Sequence, residues 1–110
     1  RELRDNGDFF GGPHLFCLQG VTEAGTTFAR HPGLPPDTHE DPFTGSSTGS
    51  MASYLWKYGL LETTEFIAEQ GHWMNRPGAA KVQLLGSRDH ITGVRVGGQA
   101  ATVLRGTLTL

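Results

Sequence analysis

The placement of glycine and proline constrains this chain more than any other feature. Sixteen glycines are scattered without a period, and three of the six prolines fall within His31-Pro32-Gly33-Leu34-Pro35-Pro36-Asp37-Thr38-His39. Proline fixes φ and removes a backbone donor, so this segment is neither a helix nor a central strand. Glycines at 20, 59, 71, 86, 97, 98 and 106 punctuate the rest, which predicts short elements joined by many turns. Scattered glycine of this kind fits neither a collagen repeat nor disorder.

Between these breakers the pattern is mostly that of strands. The apolar run His14–Gln19, bounded by Gly11-Gly12-Pro13 and Gly20, reads as a buried strand, and Thr26–Arg30 reads as a second, with Val21–Gly25 as the hairpin between them. Glu65–Gln70, Ala80–Leu85, Ile91–Val96 and Ala101–Arg105 alternate well enough to be further strands. One segment differs. The cluster Thr44, Ser46, Ser47 and Thr48 offers N-caps to Met51–Tyr58, and Gly59 offers a C-cap, so a helix is expected over about 46–58. Its apolar residues point in too many directions for one stripe, which predicts a helix largely surrounded by protein, with Tyr54, Trp56 and Tyr58 in the core. The expected fold class is α+β: a mostly antiparallel sheet curled around one central helix.

At 110 residues and 11.9 kDa the chain has the size of one domain, 1–110. A net charge of -2 without blocks of like charge gives no footprint for nucleic acid or an anionic membrane. The single Cys17 excludes an internal disulfide and, inside an apolar strand, reads as inert core. No apolar stretch spans a bilayer, and Arg1-Glu2-Leu3-Arg4-Asp5 is no signal peptide, so a cytoplasmic location is expected.

The chemistry concentrates at Glu40-Asp41-Pro42-Phe43-Thr44-Gly45-Ser46. An acid stands there beside a helix start, where the first N–H groups lack intrahelical partners and the dipole favours negative charge. Gly45 and Gly49 let the backbone approach a ligand, and Ser46, Ser47 and Thr48 add hydroxyl donors, together an anion or carboxylate cradle. The plainer alternative is that Asp41 and Ser46 only cap the helix. Gly45-Ser46-Ser47-Thr48-Gly49 also satisfies the nucleophile-elbow pattern, with Ser47 as nucleophile, but Pro42 spoils the strand that an elbow requires. His39-Glu40-Asp41 is a poor metal cluster, since adjacent extended residues face opposite ways and no second histidine has ligand spacing. Arg30 and Arg76 are candidates to pair with Asp41 or with a ligand carboxylate, and Trp73 is a candidate for an interface.

Glu40 to Ser46 is similar to the EDP-x-TGS motif of the phenazine-biosynthesis PhzF-like isomerase family. Thr27-Phe28-Ala29-Arg30 resembles the strand before that family's active-site loop, and Ser50–Leu60 resembles its central helix. Ile67-Ala68-Glu69-Gln70-Gly71 with Met74-Asn75-Arg76-Pro77-Gly78 resembles its EQG and M-G-R-P signatures, and Val96-Gly97-Gly98 its V-G-G. These matches run collinearly over residues 14–110. Asn75 stands where glycine is usual, and Ser47 where alanine is common.

The resemblance implies a diaminopimelate-epimerase-like fold of two lobes with the ligand between them. This chain would be the C-terminal lobe, with 1–13 as a lead-in and the N-terminal lobe outside it. It implies isomerisation by proton transfer on a small carboxylate-bearing metabolite, without metal or organic cofactor. Asp41 would bind and orient a polar substrate group, and Gly45 and Ser46 would hold its carboxylate or assist proton transfer. Gln70 and Gly71 would join the substrate-binding set. The proton-moving Glu and a Gly-His pair would lie in the other lobe. Cys17 is not the counterpart of the related epimerases' catalytic thiol, which the resemblance places where Ser46 stands. The partner would be the missing lobe or a second copy in a homodimer; the alternative is a stand-alone, non-catalytic lobe that self-associates as an interaction module.

Overall fold

The glycine-bounded segments become five strands and one helix in the computed structural model, which describes residues 12–36 and 38–110. Most of the expected lead-in 1–13, and Asp37, lie outside the described residues. The strands are β1 (Leu15–Cys17), β2 (Thr27–Arg30), β3 (Glu65–Gln70), β4 (Gly78–Gly86) and β5 (Ile91–Gly97), with helix α1 (Gly45–Lys57) between β2 and β3. A single 3₁₀ turn, His72–Met74, joins β3 to β4.

All five strands form one sheet in sequence order, with antiparallel pairing at every step except β2 to β3. That pair is parallel, Thr27 opposite Ala68 and Ala29 opposite Gln70. Parallel neighbours need a crossover of a dozen or more residues, and the proline loop with α1 supplies it. The sheet is therefore mixed, and α1 lies on one of its faces against β4 and β5.

One stripe of α1 is buried: Thr48, Met51, Ala52 and Leu55. Met51, Ala52 and Leu55 meet Leu61, Phe66, Ala68, Val82 and Leu84, with Trp56 and Val94 at the border. Burying an aliphatic side chain such as Leu55 contributes about 2 kcal/mol. The expected all-round burial is corrected: Tyr54 and Tyr58 are 52% and 60% exposed, because the helix has a sheet on one side only. Arg88 closes the helix end, donating to the carbonyls of Trp56 (2.7 Å) and Leu61 (2.8 Å) with its guanidinium 3.8 Å from the Trp56 ring.

Two further expectations fail at the sheet edges. β1 pairs only with β2, all three of its residues are exposed, and Cys17 is exposed instead of in the core. Residues 101–105 form no strand: 98–110 lacks regular structure and is exposed. A strand is made by its neighbours, and an alternating segment without an adjacent edge has no ladder to join. No helix among the described residues is long and apolar enough to cross a membrane.

Candidate active site at the helix entrance

Five contacts hold the loop that delivers Asp41. Arg30, the last residue of β2, donates from Nε to Glu40 Oε1 (2.8 Å) and from Nη2 to Oε2 (2.7 Å). This fork-to-fork geometry suits a planar guanidinium and carboxylate, and it holds the Glu40 carboxyl below its usual range. The Arg30 candidate thus pairs with Glu40. One residue on, Asp41 N–H donates to the His31 carbonyl (3.0 Å) in an isolated antiparallel bridge.

Behind that bridge the His14 and His31 rings meet, Nδ1 to Nδ1 at 3.2 Å. Burial, and then the nearby His31, lower the pKa of His14.

Gln70, at the end of β3, makes the third contact from beneath. Its side chain is only 1% exposed, a position that an amide tolerates when its polar atoms are satisfied. Nε2 donates to the Asp41 carbonyl (2.8 Å) and to Thr44 Oγ1 (3.2 Å), while Oε1 accepts from Thr44 N–H (3.1 Å). Gln70 therefore sits below the loop, its amide committed to it.

Two close approaches complete the seat. Gly71 has φ +91, and a Cβ there would stand 2.7 Å from the Pro42 carbonyl oxygen and 2.2 Å from that of Arg76. A Cβ on Gly78 would stand 2.8 Å from the Phe43 ring. Only glycine lets Pro42 and Phe43 lie across the β3–β4 connection. In that connection Asn75 takes φ 55, a left-handed conformation that asparagine tolerates better than most residues. Asn75 thus adopts the turn conformation at the position where the resemblance leads one to expect glycine.

The loop ends at Thr44, the N-cap of α1, in extended backbone conformation. Thr44 makes no side-chain cap bond; its hydroxyl donates to Asp41 Oδ2 (2.8 Å). The first intrahelical bond runs from Thr48 N–H to the Thr44 carbonyl (3.0 Å), so the N–H groups of Gly45, Ser46 and Ser47 precede the helical ladder. Gly45 and Ser46 are exposed, and no atom lies within 4 Å of where a Gly45 Cβ would stand. Asp41 is exposed as well. Among the described residues neither Asp41 nor Ser46 accepts a hydrogen bond from the helix's first N–H groups, and Ser47 follows a loop, not a strand.

The structure thus brings Asp41, Gly45 and Ser46 together around an open helix entrance and places Gln70 and Gly71 under it. Two polar side chains, one in this site and one across the sheet from it, were not singled out from the sequence. Thr44 stood only as one cap candidate among four, and its bond to Asp41 needs the loop's curvature. Glu69 is 3% exposed and faces the other side of the sheet, where it accepts from Val21 N–H (2.6 Å), Thr22 N–H (3.1 Å) and the Thr22 hydroxyl. Burial pushes its pKa up, but those three donors and neighbouring His72 outweigh that and lower it. Trp73 is 68% exposed, its ring edge-on to Phe28.

Known proteins are similar to this chain in sequence. Residues 17–106 match the phenazine biosynthesis-like protein family. An uncharacterized isomerase of Bacillus subtilis is 32% identical over 79 residues, 71% of this chain and 27% of that protein. One from Mesorhizobium japonicum is 28% identical over 103 residues, 90% of this chain and 33% of that protein. The trans-2,3-dihydro-3-hydroxyanthranilate isomerase of Pseudomonas chlororaphis is 36% identical over 72 residues, 64% and 26% of the two chains. The chain thus spans a third or less of the length of these relatives. No solved structure matches it.

Proposed function

The chain belongs to the phenazine biosynthesis-like family, and from that premise we propose that it supplies one wall of an isomerase active site. The reaction is proton transfer on a small carboxylate-bearing metabolite, without metal or organic cofactor. The observation that carries this reading is the pairing of an exposed Asp41 carboxylate with an unobstructed helix start at Gly45 and Ser46. Asp41 orients a polar substrate group, while Gly45 N–H and the Ser46 hydroxyl receive the substrate carboxylate. The Pseudomonas chlororaphis relative is named for an anthranilate-type substrate, which carries such a carboxylate.

In this reading the chain is the C-terminal lobe of a diaminopimelate-epimerase-like fold, and the proton-moving Glu comes from a second lobe. Completed by the N-terminal portion of the Pseudomonas chlororaphis isomerase, the chain should drive solvent deuterium into trans-2,3-dihydro-3-hydroxyanthranilate. Asp41→Asn should reduce that uptake at least about 100-fold, the size of effect expected when a group that orients the substrate is lost. Uptake indifferent to Asp41, or equal uptake by the chain alone, would sink the reading.

A second reading has its own support. Leu15, Phe16, Leu18, Tyr54 and Tyr58 are exposed, as are Val103, Leu104, Leu108 and Leu110. Apolar surface of this extent favours a lobe that self-associates as a homodimer. Sedimentation equilibrium decides: a monomer at all concentrations removes it.

A further inference from the structure

We propose that Gln70 is a positioning residue that sets the direction of the Thr44 hydroxyl and, through it, the rotamer of Asp41. The proposal rests on the functional reading above for its consequence, since it identifies what holds the acid in place, but its geometry stands without that reading.

Every polar role in this cluster is fixed by a group that cannot change role. Thr44 N–H is a backbone donor, so the Gln70 atom 3.1 Å from it is the acceptor Oε1. The Asp41 carbonyl is a backbone acceptor, so the Gln70 atom 2.8 Å from it is the donor Nε2. The amide orientation follows from these two contacts alone. Nε2 carries a second proton, and Thr44 Oγ1 lies 3.2 Å away to receive it. With that lone pair occupied, the single hydroxyl proton of Thr44 is directed at Asp41 Oδ2, 2.8 Å away. The chain of donors is one-way: amide to hydroxyl to carboxylate.

The position of Thr44 shows that this role displaces another. As the N-cap it would ordinarily accept an N–H from the first helical turn, yet it makes no such bond. Its hydroxyl serves Asp41 instead. Only Oδ2 of Asp41 is engaged among the hydrogen bonds of this cluster, which leaves Oδ1 for a substrate. A carboxylate with one oxygen tethered is pre-oriented without being saturated, the condition a positioned substrate-binding acid requires.

The test reads the Asp41 side-chain rotamer directly, from three-bond couplings about χ1 in isotopically labelled full-length chain without substrate. Wild type should show the limiting couplings of a single staggered rotamer, either one large and one small or both small, in place of intermediate values. Thr44→Val removes the hydroxyl at nearly constant shape and should give averaged couplings, while Thr44→Ser should restore the single rotamer. Gln70→Met removes both donated protons without adding charge, and the Asp41 couplings should average as in Thr44→Val. Amide spectra of β3, β4 and α1 report whether each variant is folded; if Gln70→Met is not, Gln70→Leu takes its place with the same expectation.

A single Asp41 rotamer in Thr44→Val, or in the folded Gln70 variant, overturns the proposal, as does averaging in wild type. Failure of deuterium uptake in a protein with the expected couplings overturns the functional reading instead.

Discussion

Glu69 and Asp41 are two carboxylates tied to consecutive residues at one end of β3, and their surroundings are opposite. Glu69 points to the face that lacks α1, is buried, and has three donors from the Val21–Thr22 hairpin closing over it. Asp41 hangs from Gln70 on the helix side, is exposed, and has a single side-chain donor in Thr44. Burial with full satisfaction makes a carboxylate a structural clamp. Exposure with one oxygen engaged makes it available to a ligand. Charge alone does not distinguish the two; the count of donors and the access of water do.

The harshest way to break this contrast is Gly71→Ala. A Cβ there collides with two backbone carbonyls at a left-handed φ, so both the strand end and the Pro42 seat must move. The expected loss is about 3 kcal/mol, combining backbone strain with overpacking, and is seen as a lowered urea midpoint. Glu69→Ala comes next. It strips the hairpin of its acceptor and should cost about 2 kcal/mol, less than a deep-core loss because Val21 and Thr22 are partly reached by water.

Acid sharpens the comparison. Folding holds Glu69 and Glu40 below the ordinary 4.5, so their contribution is complete above that pH and is lost as the pH falls through the folded values. The Glu40 part is small, because its Arg30 partner is exposed. His14 is held below 6.5, so the folded chain resists a proton that the unfolded chain accepts, and stability declines as the pH drops below 6.5. Urea midpoints across pH should therefore fall in two stages, and Glu69→Gln should flatten only the stage below pH 4.5. A wild-type profile flat from 6.5 to 3 would contradict both assignments. Asp41→Asn is the smallest perturbation, within about 0.5 kcal/mol of wild type, as expected for an exposed side chain with one neutral partner. A larger loss would place Asp41 with Glu69 among the clamps.

Local pattern was enough for the elements whose neighbours it could anticipate. β3 occupies Glu65–Gln70, as its alternation predicts, and the helix spans Gly45–Lys57 against an expected 46–58. The Val21–Gly25 hairpin was legible from its glycine borders, and the family from motifs spread along the chain. Cys17 and residues 101–105 misled for one physical reason. An apolar or alternating run states a preference for pairing and burial, but what lies alongside decides the outcome.

By itself, then, the sequence determined where the chain turns, which segment is helical, which family it joins, and that Asp41, Gly45 and Ser46 share a helix entrance. Tertiary structure alone decided that β2 and β3 run parallel, that Tyr54 and Tyr58 face outward, and which partners Glu69 and Gln70 meet on their two faces of the sheet. The reason is range. Turns and caps are set by residues within a few positions of one another. The partners of Gln70 lie 26 and 29 positions away and those of Glu69 lie 47 and 48 away, brought together only when the sheet assembles.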